Sequence, residues 1–234
     1  CRNRQDPNYS LRERVVQTNM EGLVTALPKG RLMEPVVDIL KEAGLIEKSQ
    51  TIDKISRKLV FQDEASSNSF LLAKPKDVPA YIEHGAADIG ITGKDVIGEH
   101  GRSLYELFDL EIGGCQLVVA VPESSGMKSI EDIPEHSRVA TSYPRLTREF
   151  FEKAGIQVEV IYLHGSVELA PLVELADIIV DITSTGTTLR KNNLIPIAEV
   201  LESSARLVVN NVSYKTKYSK VKQLLIAIEG IYRG

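Results

Sequence analysis

Apolar residues in this chain fall in short runs, and the runs alternate between strand-like and helix-like spacing. Leu23-Val-Thr-Ala-Leu27 is a short continuous run of the kind a buried strand gives. Pro28-Lys-Gly-Arg31 then reads as a turn. Leu32, Val36, Val37 and Leu40 recur at helical spacing, with Gly44 as the stop. Lys58-Leu-Val-Phe61 and Phe70-Leu-Leu-Ala73 predict two more strands. Pro75 opens a predicted helix with Val78, Tyr81 and Ile82 turned inward and Gly85 at its end. Asp88-Ile-Gly-Ile91 predicts a strand, and Thr92-Gly93 leads from it into another helix.

The second half repeats the rhythm. Gly113-Gly114 precedes the strand-like run Gln116-Leu-Val-Val-Ala-Val-Pro122, which places a domain crossover at the glycine pair. Arg138-Val-Ala-Thr141 predicts a strand. Pro144 starts a helix that buries Leu146, Phe150 and Phe151 and ends at Gly155. Val158–Tyr162 predicts the next strand, followed by a helix from near Ser166. Pro196 and Glu202-Ser-Ser204 suit a return connection, and Val221, Leu224, Leu225 and Ile228 form the stripe of a final helix. This alternation predicts an α/β fold of two lobes, each a mainly parallel sheet with flanking helices. The expected division is an N-terminal flexible extension over 1–19, a first domain from 20–112 plus 205–234, and a second from 113–204. Sheets of this class bind ligands beyond the carboxyl ends of their strands. Lys29, Thr92, Ser142 and Thr183 all follow predicted strands, so the expected site is the cleft between the lobes.

Composition narrows the ligand class. The 234 residues are 43% hydrophobic, as in a globular protein, and carry a formal net charge of −4. That charge argues against a general nucleic-acid surface, so an anionic ligand needs local cations. Cys1 and Cys115 form no disulfide framework or zinc pattern, and His84, His100, His136 and His164 show no metal-ligand spacing. No apolar run has the length of a bilayer span, and the first residues are too polar for a signal-peptide core. A cytoplasmic protein without membrane or nucleic-acid partners is expected. A cysteine at position 1 also admits a lipoprotein tether, against which Met20 stands as an alternative start.

The strongest chemical signal is Ala176-Asp-Ile-Ile-Val-Asp-Ile-Thr-Ser-Thr-Gly-Thr-Thr-Leu189. An apolar strand reaches the acid Asp181, then Thr183, Ser184, Thr185, Gly186, Thr187 and Thr188, then a helix start. Backbone N–H groups in such a turn hold phosphate oxygens, and Gly186 lets them approach. Asp181 sits where a carboxylate accepts hydrogen bonds from sugar hydroxyls, so a phosphoribosyl group is the leading ligand. A hydroxyl-rich N-cap is the bland alternative. Lys29, Gly30 and Arg31 place two cations at a strand end, and Ser56-Arg57-Lys58 supplies two more; arginine grips phosphate through paired N–H bonds. Solvated charged turns are the alternative for both. Cys115 lacks a histidine partner and reads as a buried small hydrophobe. Glu168 stands on the helix after Ser166, facing either the cleft or solvent.

Together these segments resemble the catalytic subunit of ATP phosphoribosyltransferase, the first enzyme of histidine biosynthesis. The resemblance runs from about Leu23 to Ile231. It includes Ala26-Leu-Pro-Lys-Gly-Arg31, Ser56-Arg-Lys58, Val78–Asp88, Gly93-Lys-Asp95, Gly165–Pro171, Val180–Leu189 and Val209–Tyr214. The family usually carries glycine where this chain has Glu174. The resemblance implies the short form, with a fold like type II periplasmic binding proteins. It also implies self-association as dimers and a histidyl-tRNA-synthetase-like regulatory partner in a hetero-octamer of four plus four chains. The implied reaction joins N1 of ATP to the ribose of 5-phosphoribosyl pyrophosphate and releases pyrophosphate, with Mg2+ carried mainly on the substrate phosphates. The implied catalytic residues are Arg57, Lys29 and Arg31. Lys58, Gly30, Glu168, Asp181, Thr183, Ser184, Thr185, Gly186, Thr187 and Thr188 are implied to bind substrate.

Two rivals remain at this point. Lys128–Pro134 followed by Arg138–Thr141 resembles the second-lobe entry of solute-binding proteins, for which Cys1 would be the lipid anchor. Purine and orotate phosphoribosyltransferases also place an acid before a Thr-Gly loop, but usually as two adjacent acids, whereas Asp181 is followed by Ile182.

Overall fold

The computed structural model describes residues 22–48, 59–63, 67–101 and 104–233. Strand β1 (Val24–Pro28) is buried along its whole length, which is why its run is continuously apolar rather than alternating. It is flanked on both sides by parallel neighbours, β3 (Ser69–Ala73) and β4 (Ile89–Gly93). Strands β2 (Val60–Gln62), β5 (Tyr105–Asp109) and β11 (Ala205–Val209) complete a six-stranded sheet in the order β2-β3-β1-β4-β11-β5. One face packs on helix α1 (Met33–Glu42) and on the C-terminal helix α8 (Tyr218–Arg233). The other receives the short helix α2 (Val78–Glu83). It packs so closely that a Cβ on Gly90 would come within 2.6 Å of the Ile82 side chain.

A buried ion pair pins this sheet to the chain's last segment. One oxygen of Asp88 accepts the Val24 N–H at 2.8 Å and the Lys217 ammonium at 2.7 Å; the other accepts the Ser213 hydroxyl at 2.7 Å. Asn210 caps α7 (Asn211–Thr216) through the N–H groups of Val212 and Ser213, while its amide donates to the Ile82 carbonyl at 2.6 Å. Asp88 is only 6% exposed, so removing either charged partner strands the other and costs about 3 kcal/mol or more.

The second sheet has the order β10-β6-β9-β7-β8. Its strands are β6 (Cys115–Pro122), β7 (Ser137–Thr141), β8 (Val158–Tyr162), β9 (Ile178–Thr183) and β10 (Leu194–Ser203). Alternation along β6 divides the core. Leu117, Val119 and Val121 face α4 (Pro144–Ala154), while Val118 and Ala120 face α5 (Leu169–Leu172) and α6 (Thr187–Lys191). By internal contacts, the described residues within 22–96, 104–112 and 205–233 form one compact unit, and those within 97–101 and 113–204 form the other. Helix α3 (Lys94–His100) contributes residues to both.

Several sequence expectations change. Parallel pairing holds for β3-β1-β4 and for β9-β7-β8, but both sheets are mixed, because β2, β5, β6, β10 and β11 run antiparallel to a neighbour. The expected return connection around Pro196 is the ten-residue strand β10. It lies at the sheet edge and carries irregularities at Pro196/Ala198 and Glu199/Leu201, the places where a sheet tolerates a residue lacking N–H. Tyr81, expected inward, is 43% exposed; α2 is too short to bury more than Val78, Pro79 and Ile82. The helix expected from Ser166 contracts to four residues, and Cys115 is buried on β6 with a free thiol. The strand expected from Lys58 begins at Val60, and Lys58 itself lies outside the described residues.

Thr25 is fully buried, and its hydroxyl has no hydrogen-bond partner. A buried hydroxyl left unpaired costs about 1–3 kcal/mol, which an isosteric methyl avoids. Thr25→Val is expected to raise stability by about 1 kcal/mol, read as a higher urea midpoint at unchanged slope. An equal or lower midpoint would show that the hydroxyl is satisfied.

Candidate active site

Strand β9 overhangs its parallel neighbour. Its pairing with β7 ends at Thr141–Val180, while its pairing with β6 continues through Asp181, Ile182 and Thr183. Asp181 therefore stands one position beyond the end of β7, half-buried, with one carboxylate oxygen accepting the Ile182 N–H at 2.8 Å. The chain then turns through Ser184 and Thr185 to Gly186 at φ +69° and enters α6. That left-handed conformation is open to glycine without the steric penalty other residues meet.

The hydroxyls have separate duties here. The Thr183 hydroxyl accepts the Gly186 N–H at 2.8 Å and so shapes the turn from inside. Thr185 and Thr187 share a hydroxyl–hydroxyl contact at 2.9 Å. Ser184, Thr185, Thr187 and Thr188 are exposed, while Leu189 is buried and anchors the far side. Arg190, which the sequence reading passed over, folds back so that its guanidinium donates to the Thr185 carbonyl at 2.8 Å. It rigidifies the turn and brings a positive charge against it. The signal lay in the spacing: Arg190 is four residues from Gly186, one helical turn. Helix α6 spans only five residues, so attraction for an anion rests on the local donors and Arg190 more than on a helix dipole.

Glu168 is half-buried just ahead of α5, and its side chain makes no capping bond. That helix ends in an unusual way. The Leu175 N–H reaches the Ala170 carbonyl at 2.9 Å and the Glu174 N–H reaches Pro171 at 3.2 Å, with Glu174 at φ +57°. This is a Schellman closure with glutamate in the left-handed position that glycine normally fills. The same closure ends α1 at Gly44 and α4 at Gly155. The glycine that the resemblance leads one to expect at 174 is thus a conformational requirement. Arg138 holds the substitute turn together: its guanidinium donates to the Glu174 carbonyl at 2.9 Å and to both oxygens of Asp177 at 2.9 and 3.2 Å. Hydrogen bonds from Arg138 hold the Asp177 carboxyl below the usual carboxylate range. The pair's contribution is therefore complete above the ordinary Asp pKa and is lost as pH falls through the lowered one.

In the first unit, Lys29 and Gly30 follow β1, with Gly30 at φ +91° and open space where a Cβ would stand. Lys29 is half-buried and Arg31 exposed. Arg57 and Lys58 lie outside the described residues. Two other strand-end positions are buried. The Thr92 hydroxyl is fully buried and donates to the Pro75 carbonyl at 3.1 Å. Beside Ser142, which is itself buried, the first N–H groups of α4, on Arg145 and Leu146, are taken by the Glu99 carboxylate at 3.0 Å.

The ATP phosphoribosyltransferase family model matches residues 74–230. The ATP phosphoribosyltransferase of Halothermothrix orenii is 64% identical over 215 residues, covering 92% of this chain and 96% of that protein. This chain belongs to the ATP phosphoribosyltransferase family. A second member, from Thermoanaerobacter sp. strain X514, is 46% identical over 91% of this chain and 97% of its own length. Among solved structures, the ATP phosphoribosyl transferase (HisG:HisZ) complex from Thermotoga maritima contains a chain 37% identical to this one, with a TM-score of 0.74 over 89% of this chain and 99% of that one. The substrate binding protein of an amino acid ABC transporter shares the fold alone, at 14% identity and a TM-score of 0.57, covering 90% of this chain and 93% of that one. ATP phosphoribosyltransferases are pentosyl-transferring enzymes that join ATP and 5-phosphoribosyl pyrophosphate to give phosphoribosyl-ATP, the first step of histidine biosynthesis. Against this, the solute-binding reading keeps the fold and loses the function. Among the described residues, no helix is long and apolar enough to cross a membrane.

A glutamate in a left-handed turn carries a steric cost of about 1 kcal/mol, part of which glycine would give back as chain entropy in the unfolded state. Glu174→Gly is expected to raise the thermal midpoint, by a free energy of about 0.5 kcal/mol, without altering the far-ultraviolet spectrum. A lower midpoint would show that the glutamate side chain contributes more than its backbone costs.

Proposed function

We propose that the turn from Thr183 to Thr188 holds the 5-phosphate of 5-phosphoribosyl pyrophosphate, and that Asp181 accepts hydrogen bonds from the ribose hydroxyls. What supports this is the left-handed Gly186, ringed by exposed hydroxyls immediately beyond an overhanging strand end. Glu168 contacts the sugar from the segment before α5. Lys29, Gly30 and Arg31 offer positive charge and an open backbone to the pyrophosphate or the triphosphate. Arg57 and Lys58 take the remaining charge on the leaving group or on ATP.

The bond that forms joins adenine N1 to ribose C1, and the bond that breaks joins C1 to the pyrophosphate oxygen. Adenine N1 already holds its lone pair in the ring plane, so no strong general base is needed. Positioning and electrostatic stabilisation of the departing pyrophosphate then provide the rate enhancement. Mg2+ belongs to the substrate in this reading, chelated by its phosphates.

The same reading assigns this chain a histidyl-tRNA-synthetase-like regulatory partner, dimers of the catalytic chain, and a hetero-octamer of four plus four. What supports this is the likeness to a chain of the Thermotoga maritima HisG:HisZ complex. A cytoplasmic location follows from the biosynthetic role.

Gly186→Val forces a β-branched residue to φ +69° and sets its Cβ 2.8 Å from the Arg190 guanidinium that braces the turn. Its expected effect is a loss of 5-phosphoribosyl pyrophosphate affinity of at least about 10-fold by titration calorimetry, with circular dichroism unchanged. Unaltered affinity would remove the turn from the site.

A further inference from the structure

The two edges of the second sheet are not alike. Strand β10 ends it on one side and carries Pro196 and two register shifts, devices that blunt a free edge. Strand β8 ends it on the other. Its sequence, Val158-Glu-Val-Ile-Tyr162, pairs with β7 in unbroken register and includes no proline or lysine. Backbone parity decides what that edge offers. The Leu163 N–H donates to the Thr141 carbonyl at 2.9 Å, and the Gln157 carbonyl accepts the His136 N–H at 2.7 Å. The odd-numbered residues of β8 therefore bond to β7. By alternation, the N–H and C=O groups of Val158, Val160 and Tyr162 point away from the sheet.

The side chains of these three residues share one face. Val158 packs on the core beneath α4, and Val158 and Val160 line a cavity of about 540 Å³ between β8 and that helix. Tyr162 is 50% exposed. Arg148, Phe151, Glu152 and Gly155 form the helix side of the cavity. Phe151 is buried, whereas Arg148 and Glu152 are exposed. On the same helix Arg145 pairs with Glu149 at 2.8 Å. Among the described residues Arg148 and Glu152, at the same spacing, make no ion pair. Both charges thus stand open beside an open strand edge.

We propose that two copies of this chain join edge to edge through β8, antiparallel about a two-fold axis at Val160. The proposal rests on the reading that the chain self-associates and names the face it uses. The occupant is a second copy because the edge is self-complementary. Val160 exchanges both backbone bonds with its own image, and Val158 exchanges both with Tyr162 of the second copy. No like charges stand directly opposite: Glu159 meets Ile161 of the second copy, and Arg138 is its register partner within its own sheet. Tyr162 comes to rest against Val158 of the second copy, at the mouth of the cavity, as an aromatic and β-branched cross-strand pair. Paired strands lie about 4.8 Å apart, so the two α4 helices run antiparallel on one face at roughly 10 Å, within packing range. That brings Arg148 of each copy toward Glu152 of the other.

The test is sedimentation equilibrium of the full chain, with Val160→Lys, Tyr162→Ala, Arg148→Glu, Glu152→Arg and the double exchange Arg148→Glu/Glu152→Arg. Circular dichroism checks that each variant folds. Val160→Lys and Tyr162→Ala are expected to weaken self-association by at least about 10-fold. Each single charge reversal weakens it by about 5-fold, and the double exchange returns it to within about 2-fold of the parent, because every pair is remade in the opposite sense. Lys222→Gln, on the exposed face of α8, matches the parent. A covalent readout tests the axis directly. In a Cys1→Ser background, oxidised Val160→Cys gives a disulfide-linked dimer, since the Cα atoms of a hydrogen-bonded pair lie about 5.5 Å apart. Glu159→Cys, which has no image opposite, does not. A parent that self-associates, with every variant parent-like and no link at Val160→Cys, would overturn the proposal and leave self-association to another face. A parent that stays monomeric would strike the self-association reading, and the proposal with it.

Discussion

The chain must leave β9 and enter α6 within three residues, and it does so through a left-handed glycine. That constraint organises the second unit's ligand end. With Gly186 at φ +69°, its N–H points back to the Thr183 hydroxyl, the Thr185 carbonyl meets Arg190, and the hydroxyls of Ser184, Thr185, Thr187 and Thr188 face outward. The strand behind it is paired on one side with β6 as far as Thr183, while on the other its pairing with β7 ends at Val180. The turn is thus pre-shaped by the strand that leads into it, and under the proposed function little ordering entropy is left to be lost on binding a phosphate.

Most of the elements were legible because each strand or helix satisfies its own period. The β1 and β6 runs are apolar because both faces of each sheet are covered, and the α4 and α8 stripes recur at helical spacing around Phe151 and around Val221, Leu224 and Ile228. What the pattern concealed depends on partners far away in sequence. Asp88 looks like the polar start of a strand, yet it is the buried hub that joins Val24, 64 residues away, to Ser213 and Lys217, 125 and 129 residues away. Strand direction was hidden for the same reason. Antiparallel β10 and β11 carry the same local pattern as parallel strands, and only pairing distinguishes them.

The candidate turn was legible in its residue types and less so in its division of labour. Hydroxyls, glycine and an acid in one loop suggest phosphate and sugar in the sequence, with a hydroxyl-rich N-cap as the alternative. Which hydroxyl shapes the turn and which faces outward depends on φ at Gly186, and Thr183 turns out to serve the turn itself. Thr92, expected to follow its strand, lies within β4, where its buried hydroxyl donates to the Pro75 carbonyl, and Ser142, just after β7, is buried. Arg190 was missed because a lone arginine on a short helix carries no motif. Glu174 is the converse case: a departure visible in sequence whose meaning, a Schellman closure without glycine, needed the backbone.

The chemistry asked of such a protein is modest in covalent terms and demanding electrostatically, since two polyanions must meet without repelling each other. In the proposed reading a net-negative chain meets that demand with local donors, foremost the turn from Thr183 to Thr188. The most direct measurement is a crystal structure of the full chain soaked with 5-phosphoribosyl pyrophosphate. The account predicts the 5-phosphate within hydrogen-bonding distance of the turn between Thr183 and Thr188, with Asp181 on the ribose hydroxyls. A phosphate monoester bound elsewhere with that turn vacant would contradict it.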